Sequence, residues 1–281
     1  DACVIVMSGN FLQRGEPAIV DKWARAQMAL EMGVDLIFEL PYVYSTQHAK
    51  WFAFGAVAIL NQLPFVTHLC FGSESGNLDE LSRLAEVLVN EPESVKQLLQ
   101  RKMKDGWSYP KAYSYALLTL FGQNNDDLAE TVKQPNNILG LYYLSALKRL
   151  KSSIQPITIK RVKAHYHQTT ISDTQIASAT SIRHALFGQS VPQWEAIRAY
   201  VPPYTLKILE KEYILGRGLI NWERFYPYLT HLFLSQSTEQ LNQLYEMEEG
   251  IEHRIKKYIL SAASVSQLIK QVKTKRYTQN R

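Results

Sequence analysis

The chain has 281 residues, 46% of them hydrophobic, two cysteines and a formal net charge of +5. That apolar content supports a substantial core in two domains or one large one, and no uninterrupted apolar run approaches the ~18 residues that would make a membrane-spanning helix. Cys3 and Cys70 lie in apolar, strand-like runs, which argues against a disulfide framework and for small buried hydrophobes in a reducing compartment; with no secretory signal in view, a soluble cytoplasmic protein is expected.

Up to about residue 187 the pattern alternates strand and helix. Ala2–Met7, Val34–Leu40, His68–Phe71 and Pro156–Val162 are short, apolar or β-branched, and bounded by turn residues, as buried parallel strands are. Between them Asp21–Met32, Thr46–Leu63, Leu78–Val89 and Asn137–Lys151 read as helices. Asp21 suits an N-cap and Gly33 a stop. Asn77 suits the cap of the third helix, with Glu80 at the capping-box position. This alternation predicts a doubly wound parallel α/β sheet with right-handed crossovers.

Residues 94–128 break the rhythm with a helical insertion rich in Lys96, Arg101, Lys102, Lys104, Trp107, Tyr109, Lys111, Tyr113 and Tyr115. Cations interleaved with aromatics can serve an RNA partner, but a helix pair with its aromatics inward is the expected arrangement. Beyond Val191 no strand pattern remains; Val191–Ile220, Trp222–Glu246 and Ile251–Lys275 read as helices. A boundary near Gly188–Pro192 therefore divides an α/β domain, 1–188, from a helical one, 189–281. In the last segment Arg254, Lys256, Lys257, Lys270, Lys273, Lys275, Arg276 and Arg281 face only Glu252, so residues 251–281 carry +7 and the remainder −2. Such a tail is a solvated face or a polyanion contact.

Five places carry residue types suited to binding. The loop after the first strand holds Ser8, Gly9, Asn10, Gln13, Arg14 and Gly15. Ligands of α/β sheets bind beyond the carboxyl ends of strands, where glycines admit a phosphate and an arginine grips it. Gly72-Ser73-Glu74 follows the third strand; Glu74 suits a ribose hydroxyl or a cap. In Pro135-Asn136-Asn137 either asparagine suits an N-cap, which leaves the other for a ligand; Asn137 is expected as the cap and Asn136 as the ligand. Lys160-Arg161-Val162 ends the fourth strand at the crevice side. In Ile176–Arg183, Ser178, Thr180, Ser181, Arg183 and the first helical amides make an anion site. His48, His165, His167 and His184 form no cluster at metal-ligand spacing, so no metal site is expected, and no paired carboxylates or Ser/His/Asp set supports hydrolysis.

Met7–Arg25, Gly33–Pro41, Cys70–Glu74, Gln134–Gly140, Ile157–Val162 and Ile176–Arg183 together, in this order and spacing, resemble the tRNA(Met) cytidine acetate ligase family of nucleotidyltransferase-like proteins along nearly the whole chain. The resemblance implies a nucleotidyltransferase (Rossmann-like) fold with a C-terminal helical domain. It implies ATP, with Mg²⁺ accompanying its phosphates, at Gly72, Asn136, Asn137, Arg161, Val162, Ser178, Ser181 and Arg183. Ser8, Gly9, Asn10 and Arg14 are expected beside the acetyl and cytidine ends, and Lys270, Lys273, Lys275 and Arg276 on tRNA. The implied reaction activates acetate as acetyl-adenylate and acetylates N4 of the wobble cytidine of elongator tRNA(Met). A small-molecule adenylyltransferase of the same fold and a non-catalytic RNA-binding relative are the alternatives; neither a membrane nor a protein partner is implied.

One departure stands out. The family's His-x-Gly-His element after its first strand does not occur here: the chain opens on Asp1 in what reads as the second strand and stops in the basic segment Tyr277–Arg281. The simplest expectation is that the native chain extends beyond both ends. No catalytic acid or base is assigned.

Overall fold

The computed structural model describes residues 2–13, 15–90, 92–107, 109–121, 131–161, 177–189, 191–274 and 277. Four strands form two parallel pairs among them. β1 (Val4–Ser8) pairs with β2 (Leu36–Leu40), Ser8 opposite Leu40. β3 (His68–Ser73) pairs with β4 (Gln155–Lys160), Gly72 opposite Ile159. Parallel strands need crossovers, and helices supply them: α1 (Lys22–Glu31) lies between β1 and β2, and α4 (Leu78–Asn90), α5 (Glu93–Lys104), α6 (Tyr109–Phe121) and α7 (Pro135–Arg149) lie between β3 and β4. The expected caps form, with Asp21 accepting from the Ala24 amide at 2.8 Å and Asn77 from that of Glu80 at 3.1 Å.

Two helices span the gap between the pairs. α3 (Ala49–Asn61) and α7 pack Val57, Leu60, Ala146 and Leu147 against Ile154, with Val4 and Val6 of β1 and Leu69 of β3 on the same cluster. Beside it Phe71 joins Leu81, Leu84, Ala85 and Leu88 of α4 and Leu141 and Leu144 of α7, with Tyr113 and Leu118 of α6 at the margin. Gly140 sets the approach of α7 to β3, since a Cβ there would lie 2.6 Å from the Phe71 ring. Only glycine permits contact that close.

The C-terminal helices are shorter than the pattern suggests: α8 (Ala179–Phe187), α9 (Trp194–Ile197), α10 (Pro203–Ile214), a 3-10 turn (Trp222–Phe225), α11 (Tyr226–Ser235), α12 (Thr238–Asn242), α13 (Ile251–Tyr258) and α14 (Val265–Val272). Val20, just ahead of α1, and Ala24 in its first turn share a core with Leu186, Ile197, Leu206, Leu209 and Leu219. The C-terminal helical residues up to Leu219 thus pack on the helix that follows the first loop. A separate core of Phe233, Leu241, Ile251, Ile259, Leu268 and Val272 holds the last helices together. Glu223 fastens them to the 3-10 turn by accepting from the amides of Val265 at 2.7 Å and Ser266 at 3.1 Å, at the head of α14.

Several expectations are corrected. Cys3 and Cys70 are exposed, not buried: Cys3 precedes β1, and Cys70 shares a face of the second pair with Ile157 and Ile159, which are 44% and 62% exposed. Tyr42–Ser45 forms its own short helix, α2, ahead of α3. α7 begins at Pro135 because a missing amide hydrogen costs nothing at a first helical position. Neither Asn136 nor Asn137 is its N-cap; Gln134 is, without a side-chain cap bond. Among the described residues no helix is long and apolar enough to cross a membrane.

Candidate active site

The loop after β1 is fixed from every side. The Asn10 side chain accepts from the Lys22 amide at 3.0 Å, and its carbonyl from the Ala18 amide at 2.9 Å. Gly9 lies against Glu39 at the end of β2: a Cβ would come within 2.2 Å of Glu39 Oε1. Glu39 Oε2 pairs with Lys22 Nζ at 2.6 Å. Phe11, bridged to Pro17, stands among the rings of Tyr42, Trp222 and Phe225 with centroids 5.7, 6.0 and 5.8 Å away. Ser45 Oγ donates to the Phe11 carbonyl at 2.7 Å. Asn10 is therefore engaged in holding the loop onto α1, and Ser8 is buried.

Two arginines close this loop from below. Arg25 Nη1 donates to the carbonyls of both Ser8 and Gly9, the latter at 2.6 Å. Arg183 Nη2 donates to the Pro17 carbonyl at 3.1 Å, and its Nε lies 3.8 Å from Glu16. Burial lowers the pKa of both guanidiniums, and the neighbouring Arg183 charge lowers that of Arg25 further. Both stay charged, since arginine is not deprotonated in proteins. Two poorly solvated cations that repel each other at one loop form a site that an anion would relieve. Sequence reasoning missed Arg25, because an arginine one turn into an amphipathic helix reads as a solvated face. α8 starts beside them. Ser178 caps it by accepting from the Ser181 amide at 3.0 Å, while Ser181 Oγ donates to the Ser178 carbonyl at 2.8 Å. Ser181 is buried, so its hydroxyl shapes the turn that presents Arg183.

The second group stands at the carboxyl end of β3 and β4. Arg161 donates its amide to the Ser73 carbonyl at 2.8 Å, and its side chain lies over Gly72, with Cγ 3.4 Å from where a Cβ would stand. The turn that follows is locked to α7 in both directions. Asn137, 1% exposed, accepts from the amides of Glu74 at 2.8 Å and Ser75 at 3.1 Å and donates to the Thr131 carbonyl at 3.1 Å. Glu74 in return accepts from the Asn137 amide at 2.8 Å and from Asn136 Nδ2 at 2.6 Å. Glu74 thus caps α7, 62 residues away in sequence, and Asn137 is a buried brace. Asn136 remains partly exposed, and among the described residues no donor meets its side-chain carbonyl.

Arg14, Val162, His165, His167, Lys275 and Arg276 lie outside the described residues. Lys270 and Lys273 are exposed. Two cations of the same segment serve the fold: Arg254 donates to the carbonyls of Val272 at 3.0 Å and Gln271 at 3.1 Å, and Lys256 to that of Gln236. Among the described residues no three His, Cys, Asp or Glu side chains gather as a metal site.

Comparison with known proteins bears on this arrangement. The whole chain, residues 1–281, matches the family described as HIGH Nucleotidyl Transferase. It is 44% identical over 278 residues to a tRNA(Met) cytidine acetate ligase of Caldanaerobacter subterraneus subsp. tengcongensis, covering 99% of this chain and 67% of that protein. A protein of the same name from Bacillus anthracis is 44% identical over 282 residues, covering 100% of this chain and 70% of the relative. Among solved structures, apo Thermotoga maritima TmcAL superposes with a TM-score of 0.91 at 36% identity, over 99% of this chain and 66% of that one. The alpha-thio ATP complex of the same protein gives 0.88 at 35% identity, over 99% and 65%. The chain spans about two thirds of the length of the proteins it matches.

Proposed function

We propose, from the premise that this chain belongs to the tRNA(Met) cytidine acetate ligase family of HIGH nucleotidyl transferases, that it activates acetate with ATP as acetyl-adenylate and passes the acetyl group to N4 of the wobble cytidine of elongator tRNA(Met). The observation that carries this reading is the full-chain similarity at 44% identity, with the two residue groups built at strand ends. Adenylation needs no covalent enzyme intermediate. It needs the α-phosphate aligned with a carboxylate and the pyrophosphate charge neutralised.

In this reading Arg161 lies against the nucleoside above Gly72, and Asn136 offers its amide carbonyl to the adenine edge. Glu74 and Asn137 hold Asn136 and the turn after Gly72 in place. Arg183, presented by the Ser178–Ser181 turn and backed by Arg25, neutralises the phosphates, with Mg²⁺ accompanying them as part of the substrate. By the family resemblance Val162 is assigned to ATP, and Arg14 is assigned with the glycine-containing loop of Ser8, Gly9 and Asn10 to the acyl and acceptor side. A cytoplasmic location suits such a substrate. The reaction is tested by ATP–pyrophosphate exchange: exchange that requires acetate and no coenzyme precursor supports the ligase, whereas exchange driven only by a coenzyme precursor would point to a small-molecule adenylyltransferase.

Lys270, Lys273, Lys275 and Arg276 are assigned to tRNA. Replacing all four with Gln is expected to weaken tRNA binding and leave acetate-dependent exchange nearly intact. The log–log salt dependence of binding should flatten by about 0.7–0.9 per phosphate contact removed. Titrations from roughly 50 to 200 mM salt, the range where such contacts lose most affinity, check this. Superimposable curves would show the tail to be a solvated face.

A further inference from the structure

The insertion between β3 and β4 offers a second polyanion surface. α5 turns one side inward through Val95, 3% exposed, and pairs with α6, which reaches the core through Tyr113 and Leu118. Its outer side carries Lys96, Gln97, Gln100, Arg101 and Lys104, all exposed. Four of these, with Asp105, line a shallow cleft of about 360 Å³. Of the acidic groups nearby, Asp105 lies 3.6 Å from Lys102, and Glu93 accepts from Gln97 Nε2 at 3.3 Å and keeps its charge, so the three cations of this side outnumber it.

Lys102 is also held, 5.0 Å from the Trp107 ring centroid and 4.9 Å from that of Tyr115. Those two rings meet edge-on at 5.5 Å. They clasp a lysine, so stacking on a base is not what this face offers. What remains is a row of exposed cations with carboxamides between them. Cations on a last helical turn also suit the helix dipole, but Lys96 lies in the first turn of α5, where the dipole disfavours it.

We infer that the outer face of α5 is an RNA backbone surface, with Lys96, Arg101 and Lys104 on phosphates and Gln97 and Gln100 on ribose hydroxyls. The inference rests on the tRNA reading above and names a surface for that partner which is independent of the tail. Cations on phosphates fix position without reading sequence, and a carboxamide can both donate to and accept from a 2′-hydroxyl. The hairpin packs on β3 and α4, whereas the tail belongs to the helices fastened beyond the first loop. A tRNA gripped by both would be held at two places on the molecule.

The test is tRNA binding by the protein carrying Lys96→Gln, Arg101→Gln and Lys104→Gln together. All three side chains are exposed, so folding should be unaffected, and circular dichroism checks that. The salt slope should become less steep by about 2 (about 0.7 for each of three single-stranded phosphate contacts). The loss should be the same for unrelated tRNAs, and acetate-dependent ATP–pyrophosphate exchange should be unchanged. Hydrogen exchange of wild-type α5 should slow when tRNA is added. Wild-type binding together with an unchanged slope in the triple variant, or no protection of α5, overturns this surface alone. A wild-type protein that binds no tRNA removes the reading beneath it.

Discussion

Arg183→Ala is expected to weaken ATP binding about 10- to 150-fold, the equivalent of the ~1.5–3 kcal/mol typical of a charge-assisted hydrogen bond. The loss should fall on the phosphates. ATP and ADP should lose affinity in the variant, while adenosine should bind as it does to wild type. Arg183 is half-buried, its one ion pair among the described residues is a long 3.8 Å contact with Glu16, and Arg25 repels it from the same loop. An arriving phosphate would remove that repulsion. Lysine at this position should recover only part of the affinity, because a compact ammonium cannot serve the Pro17 carbonyl and a phosphate with one planar fork. Calorimetric titration of the nucleotides decides the matter. Unchanged ATP affinity with lost tRNA binding would move the Ser178–Arg183 turn out of the nucleotide site.

Asn137→Ala should be the most destabilising single change within the site. The side chain makes three hydrogen bonds in a setting where it is 1% exposed. Its loss strands the amides of Glu74 and Ser75 and the carbonyl of Thr131, at roughly 1–3 kcal/mol for each group left buried without a partner. About 2–5 kcal/mol in all is the expected cost after partial hydration. Asn137→Asp is no remedy: it retains an acceptor but removes the donor to Thr131, and it sets a carboxylate beside Glu74. Thermal unfolding of both variants should show lowered midpoints, with weakened ATP binding at temperatures where the fold persists, because the turn after Gly72 loses its brace. A variant as stable as wild type that had lost only nucleotide affinity would make Asn137 a ligand and not a brace.

The two arginine and asparagine results bear on what a sequence can convey. Local features were legible: the Asp21 and Asn77 caps, the strand–loop–helix step after β1 and the Ser178 helix start each depend on residues within three or four positions of one another. Pairings across long separations were not. Glu74 and Asn136 meet over 62 residues, and Arg183 meets Pro17 over 166; no local rule signals either. Arg25 was hidden for a related reason, since only the tertiary fold brings the end of β1 over the first turn of α1. Cys70 misled because a strand of mixed residues does not declare which of its faces is covered. In the insertion, composition singles out aromatics and cations together, but only the fold reveals that Trp107 and Tyr115 hold Lys102 and leave Lys96, Arg101 and Lys104 outward.

The same contrast applies to the tail. Its charge reads from composition, yet Arg254 and Lys256 complete helix ends and turn carbonyls. Of the described cations there, Lys257, Lys270 and Lys273 are exposed. Among the described residues the tail therefore exposes fewer cations than its net charge suggests, which is why the second basic face proposed on α5 would matter to a tRNA.

The central claim is that ATP and acetate together acetylate a tRNA. Incubating the protein with isotopically labelled acetate, ATP and elongator tRNA(Met), then digesting the RNA to nucleosides, measures this directly. The account predicts label in N4-acetylcytidine from the wobble position, with AMP and pyrophosphate released in equal amounts and no product when acetate or ATP is omitted. Acetate-independent consumption of ATP, with no acetylated nucleoside in the tRNA, would contradict it.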